Sequence, residues 1–555
     1  GVEGALISLE GSDKTAITNS DGYYELEIPR GEYTLSAAHP LYGNRHVKNI
    51  RVISNVASNI NLNLSMTGDS MIEEVVAVGS YIPSTATAQQ RDSSGVLDAI
   101  GADQFSRFGD SNAASALKRV SGVSISDGKY AVVRGLNERY TSVLFNGASL
   151  PSPDPTRRVV PLDLFPSGVI SSINVSKTGT ANRLSDSAGA TIDIISREAP
   201  DVFEGKVSVS MESNSNATGT TATVQKTSGS EVMGIRSGGR DLTSAAKAYE
   251  RADGSAPLTG SSGSELISLD QWETEKKTLT PNTSVEISAG DLIGDYDFGS
   301  LSVKATGRYS NKWTLNEIDR ATYSPVGNGE VVEEDEYIES RAVNDIDLSG
   351  AISLSLMGSE YSVISNTMLL RQTQIDSSES AGIRGEYRNF TINRDYTWQE
   401  REFFMQQLTG DIQLENFLDS EITWGATIAN AKLDSPDSRS YTLQDSTKEI
   451  ALDSGFNPLS DDRTAESRIL MSTAPSRDFT ELNEDATDFQ AHLNSSLFLN
   501  DDFEVRSKIG FNAISRDRKV DSYSFTYNLT GGETTIPAPY DDSQNISDVI
   551  NGESF

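Results

Sequence analysis

The chain has no cysteine and only three histidines among 555 residues. Disulfides, thiolate catalysis and cysteine metal sites are therefore excluded. No histidine stands in a Ser/His/Asp context, so triad hydrolysis has no support. No phosphate-loop signature and no CxxC are present. Basic residues are few: 46 lysines and arginines stand against 80 aspartates and glutamates, a net charge of −34. That balance argues against nucleic-acid binding, which needs basic surface to neutralise phosphates. No apolar run approaches the roughly 18 residues of a membrane helix. This says nothing against barrel strands, which need only about 9–11 alternating residues. The length is too great for one compact domain.

The most ordered stretch runs from Ala131 to Arg197. It holds the short apolar runs Ala131–Val133, Thr141–Phe145 and Ile170–Val175, and an alternating run, Ala190–Ile195. Phe145-Asn146-Gly147-Ala148 is a tight-turn signal, because a type I′ hairpin needs two central residues with positive φ. These features predict a small mixed sheet. With "VRG" at Val133–Gly135, then Asn146-Gly147, then "ISSINVSKTGTANRLSDSAGATIDIISR", the stretch resembles the plug domain of TonB-dependent outer-membrane receptors. Ile173, Val175 and Lys177 fit that family's "IE-x-IEV-x-(K/R)G" strand; Gly189, Ile192 and Ile194 fit its "GG-x-(I/V)NI" strand. Asn174 replaces the usual acidic residue, Thr178 precedes Gly179, and Ala190 replaces the second glycine. The plug-motif positions are thus Arg134, Gly135, Asn146, Gly147, Lys177, Gly179 and Gly189.

Residues 1–66 read as a small β-sandwich of short, regularly spaced strands. Turns are expected at Asp21-Gly22 and Pro29-Arg30-Gly31, with strands over Tyr23–Ile28 and Glu32–Ala37. The spacing resembles the carboxypeptidase regulatory-like domain, which is not a peptidase. That family's opening "G-x-(V/I)-x-D" strand is missing, so Gly1 is expected to fall inside the domain, at a processed or cut N-terminus. His39 and His46 have no acidic or Cys partner at metal-ligand spacing and are read as loop histidines.

Residues 67–82 form a linker. Glu73-Glu74-Val75-Val76-Ala77-Val78-Gly79 resembles the TonB box, with Ala77 where Val is common. A β-branched run within polar flanks can stay extended and offer free backbone groups to another protein's sheet edge. Taken alone, Val75–Val78 reads equally well as a first plug strand; its place between sandwich and plug favours the box. Residues 83–200 form an α/β plug of one helix plus four strands. The helix is expected from Asn112 to Val120, capped by Asp110 or Ser111 and ended by Gly122.

Residues 201–555 alternate apolar and polar side chains, as in Phe203–Met211, Leu301–Tyr309 and Ile346–Leu356. A soluble sandwich alternates too. Unequal connections favour a transmembrane β-barrel, with long polar loops expected at Glu212–Thr283, Thr314–Asn344 and Leu433–Thr487. Tyr309, Trp313, Trp398, Phe403, Phe404 and Trp424 sit near expected strand ends and suit a headgroup boundary. Roughly 12–14 strands are expected against about 22 for a plugged transporter, so the chain reads as an internal fragment, cut at its C-terminus. The acidic runs Glu333–Glu336, Asp461-Asp462 and Asp541-Asp542, with Asp453, lack EF-hand spacing and read as solvated loop charge, with Ca²⁺ left open.

The fold class expected is mainly β: sandwich, α/β plug and part of a large antiparallel barrel. The resemblance implies import across an outer membrane, powered by a TonB-type periplasmic coupling protein, with no cofactor and no catalytic or metal residues. Arg157 and Arg158 are expected on a ligand-facing plug loop, and Arg134 and Arg183 against the barrel wall. "PSPDPTRRVVPLDLFPSG" (151–168), "TWQEREFFMQQLTGDIQL" (397–414) and "SPDSRSYTL" (435–443) resemble a subgroup tied to carbohydrate uptake; ferric siderophore is the runner-up. A non-transporting adhesin barrel is the alternative, and an enzyme a weaker third.

Overall fold

The structure, a computed structural model, describes residues 2–9, 14–20, 22–26, 31–39, 42–52, 95–179, 188–227, 229–237, 240–242, 274–327, 330–358, 360–384, 389–414, 420–445, 467–469, 476–500 and 503–526, with single positions 60, 62, 64 and 90. Glu73–Gly79 and Arg183 lie outside these residues.

The first unit is an antiparallel sheet of β1 (Leu6–Leu9), β2 (Thr15–Ile17), β3 (Gly31–His39) and β4 (Gly43–Val52), in the order β2-β1-β3-β4. Ile7, Leu35 and Ala37 form its core, with Tyr24, Leu26, Ile60, Leu62 and Leu64 packed against it. Tyr23–Leu26 take no strand assignment. His39 and His46 lie on β3 and β4, not in a loop. Pairing across β3–β4 continues to His39↔Gly43, so the hairpin takes up both. His39 Nε2 donates to the Glu3 carbonyl at 3.1 Å.

The second unit holds β5 (Leu97–Gly101), α1 (Ala102–Phe108), α2 (Ala113–Leu117), β6 (Val123–Ser126), β7 (Tyr130–Val133), β8 (Thr141–Phe145), β9 (Ala148–Ser149), β10 (Ile170–Ser176) and β11 (Ala190–Ser196). The main sheet runs β5-β10-β11-β8-β9, with β11 and β8 parallel and the other pairs antiparallel. β6 and β7 form a separate hairpin. Alternation explains the sheet's inner layer: Ile173, Val175, Ile192 and Ile194 are fully buried beside Leu117, Phe145 and Phe165.

The expected helix from Asn112 to Val120 is shorter, and a second helix, α1, precedes it. Asn112 is the cap rather than Asp110 or Ser111. Its Oδ1 accepts from Ser115 N at 2.9 Å, while Ser115 Oγ accepts from Asn112 N at 3.2 Å. After Leu117 the chain tightens into turns, with Val120 N donating to Leu117 O at 3.0 Å. α1 buries chiefly Phe105, too narrow an apolar stripe to register in the sequence pattern.

The third unit is one antiparallel 10-stranded sheet. Its strands are β12 (Glu204–Glu212), β15 (Asn282–Tyr296), β16 (Gly299–Gly327), β17 (Glu330–Met357), β18 (Tyr361–Arg384), β19 (Asn389–Leu414), β20 (Ser420–Asp445), β22 (Ser476–Asn500) and β23 (Phe503–Thr526), with short β21 (Ser467–Ile469) beside β20. A ribbon of β13 (Thr221–Gln225) and β14 (Thr274–Thr278) lies between β12 and β15 in sequence. The stretch Thr314–Asn344, expected as a loop, is the far half of the β16–β17 hairpin, paired to Gly327↔Glu330. Leu433–Asp445 and Ser476–Thr487 are likewise strand. Charge on both faces hides these halves from an apolar/polar reading, although their backbone pairing is continuous.

Candidate functional site at the plug seam

Strand alternation gives the large sheet two faces. Met368, Leu370, Phe403, Met405, Ala429 and Ala431 point to the plug and join its core. Phe403 meets Phe165 edge-on, with ring centroids 5.7 Å apart. On the other face Leu348, Ile352, Leu354, Leu369, Phe404, Leu408 and Ile412 are exposed. They fall within Leu348–Leu356, Tyr361–Leu369 and Phe404–Ile412, which the pairing sets side by side. That band is about nine residues tall on each strand, close to the roughly 9–11 that a bilayer-crossing strand needs. The rung at its edge is charged: Leu348 pairs with Arg371, which meets Glu402 at 3.0 Å.

Around that apolar contact, the plug also meets the wall through polar side chains. Asn146 and Gly147 both take positive φ, 46° and 79°, as the expected turn requires. Asn146 Nδ2 donates to Gln407 Oε1 at 2.7 Å, and Gln407 Nε2 donates to Phe145 O at 3.1 Å. Gln490 Nε2 donates to Asn146 O at 3.3 Å. A Cβ at Gly147 would stand 3.0 Å from Gln490 Nε2. Ser149 N donates to Asp488 Oδ2 at 2.9 Å, and Ser152 N to Glu484 Oε2 at 3.4 Å. Arg516 and Arg518 donate to Ser149 Oγ and Asp154 O. On the other flank Arg308 donates to Ser111 O at 3.2 Å and Gln372 to Asp163 Oδ2 at 3.1 Å.

The remaining plug-motif residues act within the plug. Arg134, expected against the wall, donates to Lys177 O at 3.0 Å, because its own φ of 54° turns the chain back there. Gly135 follows it at φ 74°. Lys177 Nζ lies 2.5 Å from Asp98 Oδ2 and also donates to Ser121 O, tying β10 to β5. Gly189 N donates to Tyr140 O at 2.8 Å, and a Cβ there would stand 3.1 Å from that oxygen. Gly179 has open space around it.

Arg157 bridges Asp127 and Glu138, both at 3.1 Å, and lies over the Tyr130 ring. Arg158 is exposed. The loop that carries them is organised by Asp154. Burial raises the Asp154 pKa, but hydrogen bonds from Tyr130, Thr156 and Arg157 outweigh it and hold the carboxyl below its ordinary 3.8. Burial, with Asp154 as acceptor, pushes the Tyr130 hydroxyl up. Burial, with Arg401 next in weight, pushes the Lys129 ammonium down.

The aromatic residues divide by face. Phe403 turns to the plug and Phe404 outward. Trp313 and Trp398 are buried instead of lying at an exposed boundary. The chain between β12 and β15 covers them on the face away from the plug. Ala217, Ala222, Val224 and Leu279 pack on Trp313. Arg240 lies 4.6 Å over Trp398, held by Glu231 at 2.8 Å and Gln225 at 2.9 Å. Sequence alternation marks Gln372, Gln407, Glu484, Asp488 and Gln490 as facing one side. It carries no signal for which rung meets the plug.

Residues 89–191 match the TonB-dependent Receptor Plug Domain, and residues 1–65 match the Carboxypeptidase regulatory-like domain. No curated protein matches the chain. Among solved structures, a mutant ferric enterobactin receptor (PfeA) from Pseudomonas aeruginosa is 12% identical, with TM-score 0.32, over 74% of this chain and 63% of its own. The ferric citrate transporter FecA in its unliganded form is 12% identical, with TM-score 0.29, over 78% and 61%. The copper transporter OprC is 10% identical, with TM-score 0.27, over 78% and 62%. The chain thus spans about six tenths of the length of each of these three structures. The chain carries a carboxypeptidase regulatory-like domain followed by a TonB-dependent receptor plug domain, and that plug is seated on one face of a large antiparallel sheet.

Proposed function

We propose that the protein actively imports a scarce polar solute across a bacterial outer membrane. The observation that carries this reading is the polar seam. The Asn146-Gly147 turn, Ser149, Ser152 and Asp163 are each hydrogen-bonded to the wall. A plug so seated blocks a large solute until something displaces it. Polar bonds suit a part that must move, since water replaces each at a net cost of only about 0.5–1.5 kcal/mol. The exposed apolar band on the opposite face supports lipid contact.

The handle in this reading is Glu73–Gly79. A TonB-type periplasmic coupling protein adds a strand there and pulls on β5. Five or six backbone bonds give a grip of a few kcal/mol, firm enough to engage and weak enough to release. Val76→Pro removes a backbone donor and disfavours pairing. Ligand binding to whole cells is expected to persist while uptake stops; normal uptake by this variant refutes the box assignment.

Carbohydrate or oligosaccharide is the favoured cargo, and a ferric siderophore the runner-up. The net charge of −34 repels an anionic iron chelate but is indifferent to a neutral glycan. Arg157 and Arg158 are proposed to face the solute. Exposed Arg158 is the better placed, since Arg157 is engaged by two carboxylates.

A further inference from the structure

We infer that the turn at residues 230–237, in the connection between β12 and β15, is an interfacial anchor. It lays three apolar side chains into the headgroup layer of the surrounding lipid. The inference rests on the membrane reading above and adds a lipid contact outside the strands. The turn is built inside out. Glu231 is 2% exposed and Arg240 fully buried, while Val232, Met233 and Ile235 are 50%, 63% and 41% exposed. Polar bonds hold it so. Glu231 Oε1 accepts from Ser237 Oγ at 2.6 Å and from Arg240 Nε at 2.8 Å. Gly234 N donates to Glu231 O at 2.9 Å, and Ile235 N to Ser230 O at 3.1 Å. The Gly234 carbonyl accepts from Thr373 Oγ1 at 2.7 Å, which ties the turn to β18. Scattered exposed apolar residues are ordinary. Three on one turn, above a buried ion pair, reverse the arrangement that water favours and suit an apolar neighbour.

The register shows what that neighbour is. Ile346, Thr373, Glu400 and Asp434 pair in series across β17, β18, β19 and β20 and form one rung. The turn lies along this rung on the face away from the plug. A Cβ at Gly234 would stand 3.1 Å from Ile346 and Thr373, while Arg236 reaches Asp434 at 3.4 Å and Glu400 at 3.9 Å. The next rung towards the bilayer is Leu348, Arg371, Glu402 and Lys432, at the edge of the apolar band. Alternate residues of a strand are about 6.7 Å apart, and a headgroup layer is about 5–8 Å deep on each side of a bilayer. The turn therefore falls in that layer. There apolar side chains settle against the upper acyl chains, and charged groups such as Arg236 and Arg371 stay among the headgroups. A second protein does not fit: three side chains of one turn fall far short of the roughly 800 Å² per partner in a stable interface.

The test uses the chain's lack of cysteine, which makes any introduced thiol unique. Met233→Cys, Leu369→Cys and Asp319→Cys, each carrying a nitroxide label, are reconstituted as full chains in phosphatidylcholine vesicles. Circular dichroism matching the wild type establishes that each is folded. Accessibility of the label to oxygen and to a water-soluble nickel chelate is then measured. Leu369 reports the apolar band, and Asp319, exposed on β16 beyond it, reports water. The ratio of oxygen to nickel accessibility is expected to fall in the order Leu369→Cys, Met233→Cys, Asp319→Cys. A Met233→Cys ratio equal to that of Asp319→Cys, with Leu369→Cys high, overturns the anchor and leaves the membrane reading standing. Shielding of Met233→Cys from both reagents, with spin–spin broadening, assigns the patch to a second copy and overturns the anchor as well. A Leu369→Cys ratio as low as that of Asp319→Cys overturns the membrane reading on which the anchor rests.

Discussion

Single side chains decide how the plug is held. Gln407 is fully buried and bonds Asn146, Phe145 O and Thr427. Gln407→Ala leaves the buried carbonyl and amide unsatisfied and is expected to lower stability by about 1–3 kcal/mol, measured as an earlier thermal transition in detergent. Gly147→Val adds a β-branched side chain at φ 79° and against Gln490. It is expected to cost about 1–2 kcal/mol, while Gly179→Val, in open space, costs less; equal effects would count against the turn as an anchor. Asp154 gives the plug loop an acid limit. Its pKa is depressed in the folded state, so its contribution is complete above the ordinary 3.8 and is lost as pH falls through the folded value. Asp154→Asn removes that acid sensitivity, which hydrogen exchange of residues 150–161 at pH 5 and pH 3 measures.

At the scale of elements, short apolar runs made β8 and β10 legible, alternation made β11 so, and the Asn146-Gly147 dipeptide announced its hairpin. Phe403 and Phe404 both read as boundary aromatics, whereas the alternation rule puts neighbours on a strand on opposite faces. It did not say which of the two met the plug, because that depends on a partner, Phe165, far away in sequence. Trp313 and Trp398 misled for a related reason. An aromatic residue near a strand end suits a lipid boundary, but here the β12–β15 connection lies over both. Gly234 marks how closely that connection sits: its φ is 73°, a Cβ would meet Ile346 and Thr373 at 3.1 Å, and its carbonyl accepts from Thr373 Oγ1 at 2.7 Å. Arg240→Ala removes the ion pair and the contact with the Trp398 ring. A red shift of tryptophan emission is the expected outcome, and an unchanged spectrum would show that Trp398 stays covered without it.

For the whole molecule, domain order was readable because each unit has its own signature: regular short strands, then a glycine-punctuated mixed sheet, then long alternation. The extent of the third unit was not. Its far halves carry charge on both faces, and a strand with two wet faces looks like a loop in sequence. The band on the outer face yields a whole-molecule prediction. Tryptophan placed at Leu369 or Leu408 is expected to be quenched by brominated lipid chains, and one at Glu402 is not. Quenching at Glu402 would move the lipid boundary outward.

β16 is 29 residues long, of which a membrane uses about ten. The remainder, tilted as barrel strands are, rises roughly 40–50 Å beyond the lipid. On the proposed import reading, a parapet of that height would stand clear of the sugar-coated skin of an outer leaflet, and a passing solute would meet it in open medium well before reaching the stopper.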